Sequence, residues 1–329
     1  MIKFGVIGLG VGERHLRQLS RSSNVEVKWV CDLDEAKARI KAKEYRVDNF
    51  LVDWRQHSQL GDIDAVVIAS YDRDHSEQVV AFIEMGIHVF VEKPLCTSQE
   101  ELLTIREVYK RCSRYKPLCV STNFILRKEA RFKELQTLVQ SGQLGEVYSI
   151  EASYDYGRLH KLRSGWRSND ASYSVMNGGG IHMLDLCQFI TSSEFHPKFA
   201  LASKVVTEGS SFIGPDFIST MGRIGRRGIL KLTANFGSQT PHFHQLKVYG
   251  TKGSFINNCG DGVYYYGHEP EVVKVVDQTP FPAADKGDLL PNFLSAIEGH
   301  DQLEIGFEEI ASVMETSLAI DKMALAELL

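Results

Sequence analysis

The sequence predicts an α/β N-terminal domain built on a doubly wound parallel sheet. An α+β domain with a large open, mainly antiparallel sheet is expected to follow it. Three observations predict this. The first third of the 329-residue chain alternates strand-like and helix-like segments. A glycine-rich turn directly follows its first strand. Past Gln143-Leu144-Gly145 the alternation stops and strands follow strands. The length also exceeds what one core fills, so two domains are expected. The cut falls after residue 121, giving 1–121 and 122–329.

The elements follow in order. Strand signals lie at Phe4–Ile7, Val25–Cys31, Ala65–Ala69 and His88–Val91, and around Val120. Ala65–Ala69 and His88–Val91 are nearly continuous apolar runs, as strands buried on both faces require. Helical signals fill the gaps at Arg14–Arg21, Asp34–Glu44, Ser76–Met85 and Ser98–Arg111. Thr97 or Ser98 supplies an N-cap, with Glu100 and Glu101 in the first turn. In the second domain, strands are expected at Val147–Tyr156, Leu201–Thr207, Ile218–Ile224, Ile229–Phe236, Gln245–Tyr249 and Gly262–Tyr266. Turns such as Arg226-Arg227-Gly228 join them. A helix around Gly178–Ile190 interrupts the sheet, and two helices end the chain. Ile310, Val313, Met314 and Leu318 form an apolar stripe at helical spacing, the mark of a core face.

Composition excludes several classes. Hydrophobic residues make up 43% and charged residues 24%, ordinary values for a globular protein. A net charge of −5 gives no footprint for nucleic acid. No apolar run approaches the roughly 18 residues a membrane helix needs. Ile2–Ile7 runs straight into the glycine turn without a leader-like head, so a cytoplasmic protein is expected. The six cysteines, Cys31, Cys96, Cys112, Cys119, Cys187 and Cys259, are scattered. They read as reduced thiols, not as a disulfide framework or a zinc site.

Gly8-Leu9-Gly10-Val11-Gly12 lies between the first strand and the first helix. Glycines there permit a tight turn and let a pyrophosphate approach backbone N–H groups at the helix start. In the usual G-x-G-x-x-G spacing the third glycine comes one residue later, where this chain has Glu13. Asp32 ends the second strand about 20 residues on, where an acid binds a ribose 2′-hydroxyl and repels a 2′-phosphate. NAD is therefore expected over NADP. Asp32 as a cap of the helix beginning near Glu35 is the competing reading.

Glu92-Lys93-Pro94 closes the strand His88–Val91, placing a carboxylate and a cation at a strand's carboxyl end, where open α/β sheets bind ligands. With Ala65–Ser70, His75 and Gly86–Leu95, it resembles the Gfo/Idh/MocA family, which includes glucose–fructose oxidoreductase and inositol dehydrogenase. Ser141–Val147 is similar to that family's entry into its second domain. Gly180-Ile181-His182-Met183-Leu184-Asp185-Leu186 resembles its G-x-H-x-x-D helix, and Leu290–Gly299 a late helix. The resemblance covers essentially the whole chain.

That resemblance implies a Rossmann domain and an NAD-dependent oxidoreductase. The reaction moves a hydride between nicotinamide and a hydroxyl or keto group of a sugar, polyol or nucleotide sugar. It implies a homo-oligomer, dimer or tetramer. It makes Lys93 the residue that hydrogen-bonds the reacting hydroxyl and lowers its pKa, and His182 the general base. Ser70, His75, Glu92 and Asn123 join Gly8, Leu9, Gly10, Val11, Gly12 and Asp32 as expected cofactor contacts. Tyr154, Trp166, Arg167 and Asp185 are expected on the substrate side. Tyr154 and Tyr156 share a strand face by alternation, which ordinary packing explains equally well. Arg158, Lys161, Arg163 and Arg167 make a basic loop, fit for an acidic substrate or simply solvated. His242 and His244 have the spacing of a metal pair without an evident third ligand, and no metal is expected.

One departure stands out. The family commonly carries an acid four residues before the histidine, and here that position is Gly178. Asp185 either orients the imidazole or matches the pattern with a structural role. The missing acid keeps a rival open: an NAD-binding sensor or regulatory protein without turnover. NAD-dependent glycoside hydrolysis is a third possibility.

Overall fold

The strand and helix signals of the first third assemble into a parallel sheet in this computed structural model, which describes residues 1–257, 262–267, 273–277 and 289–327. Cys259 lies outside the described residues. The chain divides into two units. The first holds Met1–Asn123 and Leu289–Ala311, and the second holds Phe124–Asp288 and Ser312–Leu329.

In the first unit the strands are β1 (Ile2–Ile7), β2 (Val25–Cys31), β3 (Asn49–Leu51), β4 (Ala65–Ile68), β5 (His88–Val91) and β6 (Val120–Thr122). Their order is β3-β2-β1-β4-β5-β6, and every pairing is parallel. That is the doubly wound order, whose direction reverses between β1 and β4. The helices are α1 (Gly12–Leu19), α2 (Glu35–Tyr45), α3 (His75–Glu84) and α4 (Gln99–Cys112). β4 is buried throughout, as its unbroken Ala-Val-Val-Ile predicts. Ser98 caps α4 in a capping box closed by Glu101. Asp34, not Asp32, caps α2, accepting from the Lys37 N–H at 3.1 Å.

The first unit also recruits a late segment that a single cut at 121 leaves with the second domain. Phe293, on α8 (Leu290–Ile297), meets Phe4 and Phe90 with ring centroids 6.5 and 5.4 Å away. Phe307 stacks on Tyr109 at 4.0 Å, and Ser121 Oγ donates to the Ile305 carbonyl at 3.0 Å. These aromatics complete a core that 1–121 alone leaves open. Phe307 opens α9 (Phe307–Ala326), whose residues from Ser312 onward belong to the second unit.

The second unit contains β7 (Val147–Asp155), β8 (Phe195–Ser203), β9 (Phe217–Ile224), β10 (Gly228–Asn235), β11 (Phe243–Gly250), β12 (Ser254–Asn257), β13 (Gly262–Tyr265) and β14 (Val273–Asp277). Their order is β14-β13-β12-β11-β7-β10-β9-β8. Neighbours are antiparallel except β7 and β10, which run parallel at the centre. β10 alternates buried and solvent-facing residues, so one face of the sheet is covered. On the covered face α7 (Ile181–Thr191) packs on β7, and α5 (Ala130–Gln140) packs on α7.

Two elements differ from expectation. The strand expected at Leu201–Thr207 lies earlier, as β8. Pro197 argues against a strand there, but β8 is an edge strand with a register shift between Pro197 and Phe199, where proline is tolerated. Thr207 instead accommodates Asp216, whose carboxylate accepts from its N–H and hydroxyl at 2.6 and 2.9 Å. The helix expected from Gly178 begins as a wide π-helical turn, Met176–Gly180, before α7.

Candidate functional site

In the first unit the candidate site gathers at the carboxyl ends of β1, β4 and β5. Gly8 has φ +80°, and a Cβ there would lie 2.2 Å from the Ala69 carbonyl oxygen, so only glycine closes this turn. A Cβ on Gly10 would meet nothing within 4 Å, leaving open space over the turn. At Gly12 it would lie 3.1 Å from the Ala69 Cβ. Gly12 thus provides the close helix–strand approach of the usual third glycine, one residue early. Glu13 turns away, accepting from Lys41 at 2.8 Å and Tyr45 at 3.1 Å. α1 has no side-chain N-cap, so its first N–H groups are not capped by a side chain.

Asp32 braces this turn. Its carboxylate accepts from the Leu9 N–H at 2.8 Å, the Asp34 N–H at 3.0 Å and Lys37 Nζ at 2.7 Å. Burial would raise its pKa, but the Lys37 and backbone hydrogen bonds outweigh burial and hold it below the ordinary value. Leu9 is buried and Val11 is exposed.

Glu92 sits at the end of β5. His15 Nε2 lies 2.8 Å from its carboxylate, and Asn123 Nδ2 donates to it at 3.1 Å. Burial opposes ionisation there, yet the His15 hydrogen bond and charge, the Lys93 charge and the Asn123 amide together lower the Glu92 pKa. Lys93 therefore lies within electrostatic reach of Glu92. His75 bonds the Pro94 carbonyl through Nδ1 at 2.6 Å, and Ser70 Oγ donates to Gln78 at 2.7 Å. His75 Nε2 and Asn123 Oδ1 are buried and have no hydrogen-bond partner among the described residues. Buried polar atoms are normally satisfied, so such orphans call for an external partner. With the open space over Gly10, the α1 amides and Asp32, they fit a dinucleotide.

In the second unit the predicted substrate-side residues form an aromatic cluster. The ring of Tyr154 stacks on that of His182, 6.0 Å and 22° apart, and on that of Tyr156, 6.0 Å and 19° apart. His242 and His244, both 5.1 Å from the Tyr154 ring, edge onto it, and His244 is its register partner on β11. The sequence offered this histidine pair as a metal-like spacing or a strand end, not as a partner of Tyr154. Alternation along both strands was the signal that it faces Tyr154. Among the described residues no group of three or more His, Cys, Asp or Glu side chains is placed to hold a metal ion. Trp166 meets Tyr173 edge-on at 5.4 Å, and the Arg167 guanidinium lies 4.4 Å over Trp166 and 5.3 Å over Tyr173.

Asp185 lies apart from these roles. It has no exposed surface, and its oxygens accept from Arg127 Nε at 3.1 and 3.0 Å and Nη2 at 2.7 Å. The carboxylate expected on the substrate side is a buried ion-pair partner, shut off from solvent. The glycine at the missing-acid position also has a cause. A Cβ on Gly178 would stand 2.4 Å from the Tyr173 hydroxyl, and on Gly179 it would stand 2.5 Å from the Tyr154 ring. Gly178 and Gly179 let the π-helical turn sit directly on the aromatic cluster. Sequence reading missed His15, Lys37 and Tyr173, whose partners are distant or set by packing.

A doubly wound sheet with a glycine turn, an acid after β2 and a second open sheet defines the dinucleotide-dependent oxidoreductase class. Residues 2–121 match the family model described as "Oxidoreductase family, NAD-binding Rossmann fold", and residues 132–256 match the "GFO/IDH/MocA C-terminal domain". The chain belongs to the Gfo/Idh/MocA oxidoreductase family. It is similar to an uncharacterized oxidoreductase of Bacillus subtilis, 24% identical over 76% of this chain and 72% of that one. It is also similar to inositol 2-dehydrogenase 2 of Saccharopolyspora erythraea, 28% identical over 67% of this chain and 61% of that protein. A levoglucosan dehydrogenase solved with NADH and levoglucosan shares the fold, with TM-score 0.83 and 20% identity over 99% of this chain and 97% of that one.

Proposed function

We propose that this NAD-binding oxidoreductase acts on a CH–OH group, or the corresponding keto group, of a sugar, polyol or nucleotide sugar. The observation that carries the reading is the braced glycine turn beside two orphaned buried polar atoms, His75 Nε2 and Asn123 Oδ1. The names of its relatives, inositol 2-dehydrogenase and levoglucosan dehydrogenase, support the substrate class. Those names, all of dehydrogenases, also speak against the sensor alternative.

The bound nicotinamide supplies the hydride chemistry. Asp32 holds the ribose, and the Gly8–Gly12 turn with the α1 amides holds the pyrophosphate. Lys93 donates a hydrogen bond to the reacting hydroxyl, and its positive charge lowers that hydroxyl's pKa. His182 takes the proton during oxidation and returns it during reduction. Tyr154 backs the imidazole by stacking. We place the protein in the cytoplasm as a homo-oligomer, with free thiols at its described cysteines. The outer sheet face, with exposed Phe199, Leu201 and Ile229, is the surface we assign to a second copy. Light scattering reads the oligomer directly.

Lys93→Ala is expected to abolish turnover with the best substrate of a polyol, aldose, uronate and nucleotide-sugar panel, followed at 340 nm. NAD affinity by calorimetry should stay within several-fold. Unchanged turnover would overturn the assignment of Lys93.

A further inference from the structure

His15 lies on the buried face of α1 with Leu16 and Leu19. Its ring stands edge-on to Phe90, with centroids 5.2 Å apart and planes at 71°. Its Nε2 lies 2.8 Å from Glu92 Oε1. Phe90 and Glu92 are two residues apart at the end of β5, so their side chains share a face and receive the imidazole together. Asn123, directly after β6, donates from Nδ2 to the same Oε1 at 3.1 Å. One carboxylate oxygen thus joins α1 to the ends of β5 and β6.

These bonds fix polarities. Burial opposes ionisation of Glu92. The His15 hydrogen bond is the largest of the effects that overcome it, ahead of the His15 charge, the Lys93 charge and the Asn123 amide. Glu92 is therefore an anion that can only accept, and His15 Nε2 carries a proton. The carboxylate can bond only the nitrogen of the Asn123 amide, which leaves that amide one orientation. Its Oδ1 is turned from Glu92, buried and without a partner among the described residues. His75, after β4, gives the same answer. The Pro94 carbonyl can only accept, so His75 Nδ1 carries the proton, and a neutral ring then leaves a lone pair on Nε2. His75 Nε2 and Asn123 Oδ1 are thus both acceptors, and buried acceptors call for donors. A protonated Glu92 would instead donate to Oδ1, reverse the Asn123 amide and present its N–H groups to the ligand.

We infer that His15 is a positioning residue for the cofactor: by keeping Glu92 an acceptor it holds the Asn123 amide with Oδ1 toward the bound dinucleotide, which offers that oxygen a hydrogen-bond donor. The inference rests on the NAD-binding reading above, not on turnover. The donors within NAD are the carboxamide N–H groups, the ribose hydroxyls and the adenine amine.

The test is calorimetric. Asn123→Ala should weaken NAD binding about tenfold, the loss of one buried hydrogen bond. His15→Phe keeps a ring against Phe90 but removes the donor, and it should weaken NAD by about the same factor. His15→Gln retains an N–H donor and should stay within about threefold of wild type. In an Asn123→Ala background the effect of His15→Phe should vanish, because it acts through that amide. A histidine that only fills the core would give the same loss in both backgrounds, without rescue by Gln, and that result overturns the inference. So does an Asn123→Ala protein that binds NAD as wild type does. Should His15→Phe not fold, Glu92→Gln decides. Its amide can donate to Oδ1 and reverse Asn123, so NAD should again weaken about tenfold, and unchanged affinity ends the proposal. The source of the donor is read with 3-acetylpyridine adenine dinucleotide, which lacks the carboxamide N–H groups. Weaker binding of this analogue that Asn123→Ala erases assigns the carboxamide. Equal binding of the two dinucleotides, both weakened by Asn123→Ala, assigns a hydroxyl or the adenine amine. Wild-type protein that binds no dinucleotide ends both this inference and the reading beneath it. Wild-type binding untouched by the variants ends this inference alone.

Discussion

Asp32 does two jobs at once, and its neighbour decides how it fails. Its carboxylate faces Lys37 at 2.7 Å and the Leu9 amide at 2.8 Å. A carboxylate there rejects a 2′-phosphate, but removing it leaves Lys37 without this partner, a cation suited to that phosphate. Asp32→Ala is therefore expected to raise KM for NAD about tenfold and to move the NADP-to-NAD preference toward NADP by at least as much. Steady-state kinetics with both cofactors check this, and a variant that weakens NAD without gaining NADP would show that Lys37 does not reach the ribose. The glycines and Asp32 were legible in the sequence because local backbone geometry and a fixed spacing set their roles. Lys37 and His15 were not, since nothing local says that a lysine five residues on, or a glutamate 77 residues on, will be the partner.

At the scale of elements, the π-helical turn before α7 explains the departure from the family pattern. The acid is absent because Tyr173 occupies its place: a Cβ on Gly178 would sit 2.4 Å from the Tyr173 hydroxyl. Gly178→Asp, the substitution that rewrites the family pattern, should thus destabilise the protein by about 1–3 kcal/mol or more through overpacking. Adding Tyr173→Ala should return much of that loss. Thermal melts of the single and double variants check it, and a Gly178→Asp protein as stable as wild type would refute the packing argument. Elements were legible where the period was clean: β2, β5, β7, β9 and β10 follow alternation or unbroken apolar runs. Short edge strands such as β3, only three residues long, carry too little pattern to be read. β8 was displaced because Val205-Val206-Thr207 has the stronger β-propensity, whereas an edge position makes Pro197 acceptable. The recruitment of Phe293 and Phe307 into the first core was invisible because it joins residues some 200 positions or more apart.

Long-range closure of this kind also sets how the molecule as a whole answers pH. Asp321, on α9, is buried and accepts from Asn177 Nδ2 at 2.7 Å, while Asn177 Oδ1 accepts from Ser317 at 2.6 Å. This network ties the last helix to the π-helical turn that leads into His182, within the second unit. Burial raises the Asp321 carboxyl from 3.8 to about 7, against a smaller opposing effect of its Ser174 hydrogen bond. In the unfolded chain the group titrates near 3.9. Below that value both states are protonated and no stability is lost. As pH rises through about 7 the unfolded chain is already ionised while the native carboxyl resists, so stability falls. Above that point the loss levels off at roughly 4 kcal/mol, one pKa unit being worth about 1.4 kcal/mol. Asp321→Asn keeps an acceptor for Asn177 and carries no charge to bury. It should therefore remove most of this slope, melting at a higher temperature than wild type at pH 8 and close to it at pH 4–5. Parallel melting curves for the two proteins across that range would show that Asp321 is ionised in the native state at no cost, and that the pH response arises elsewhere.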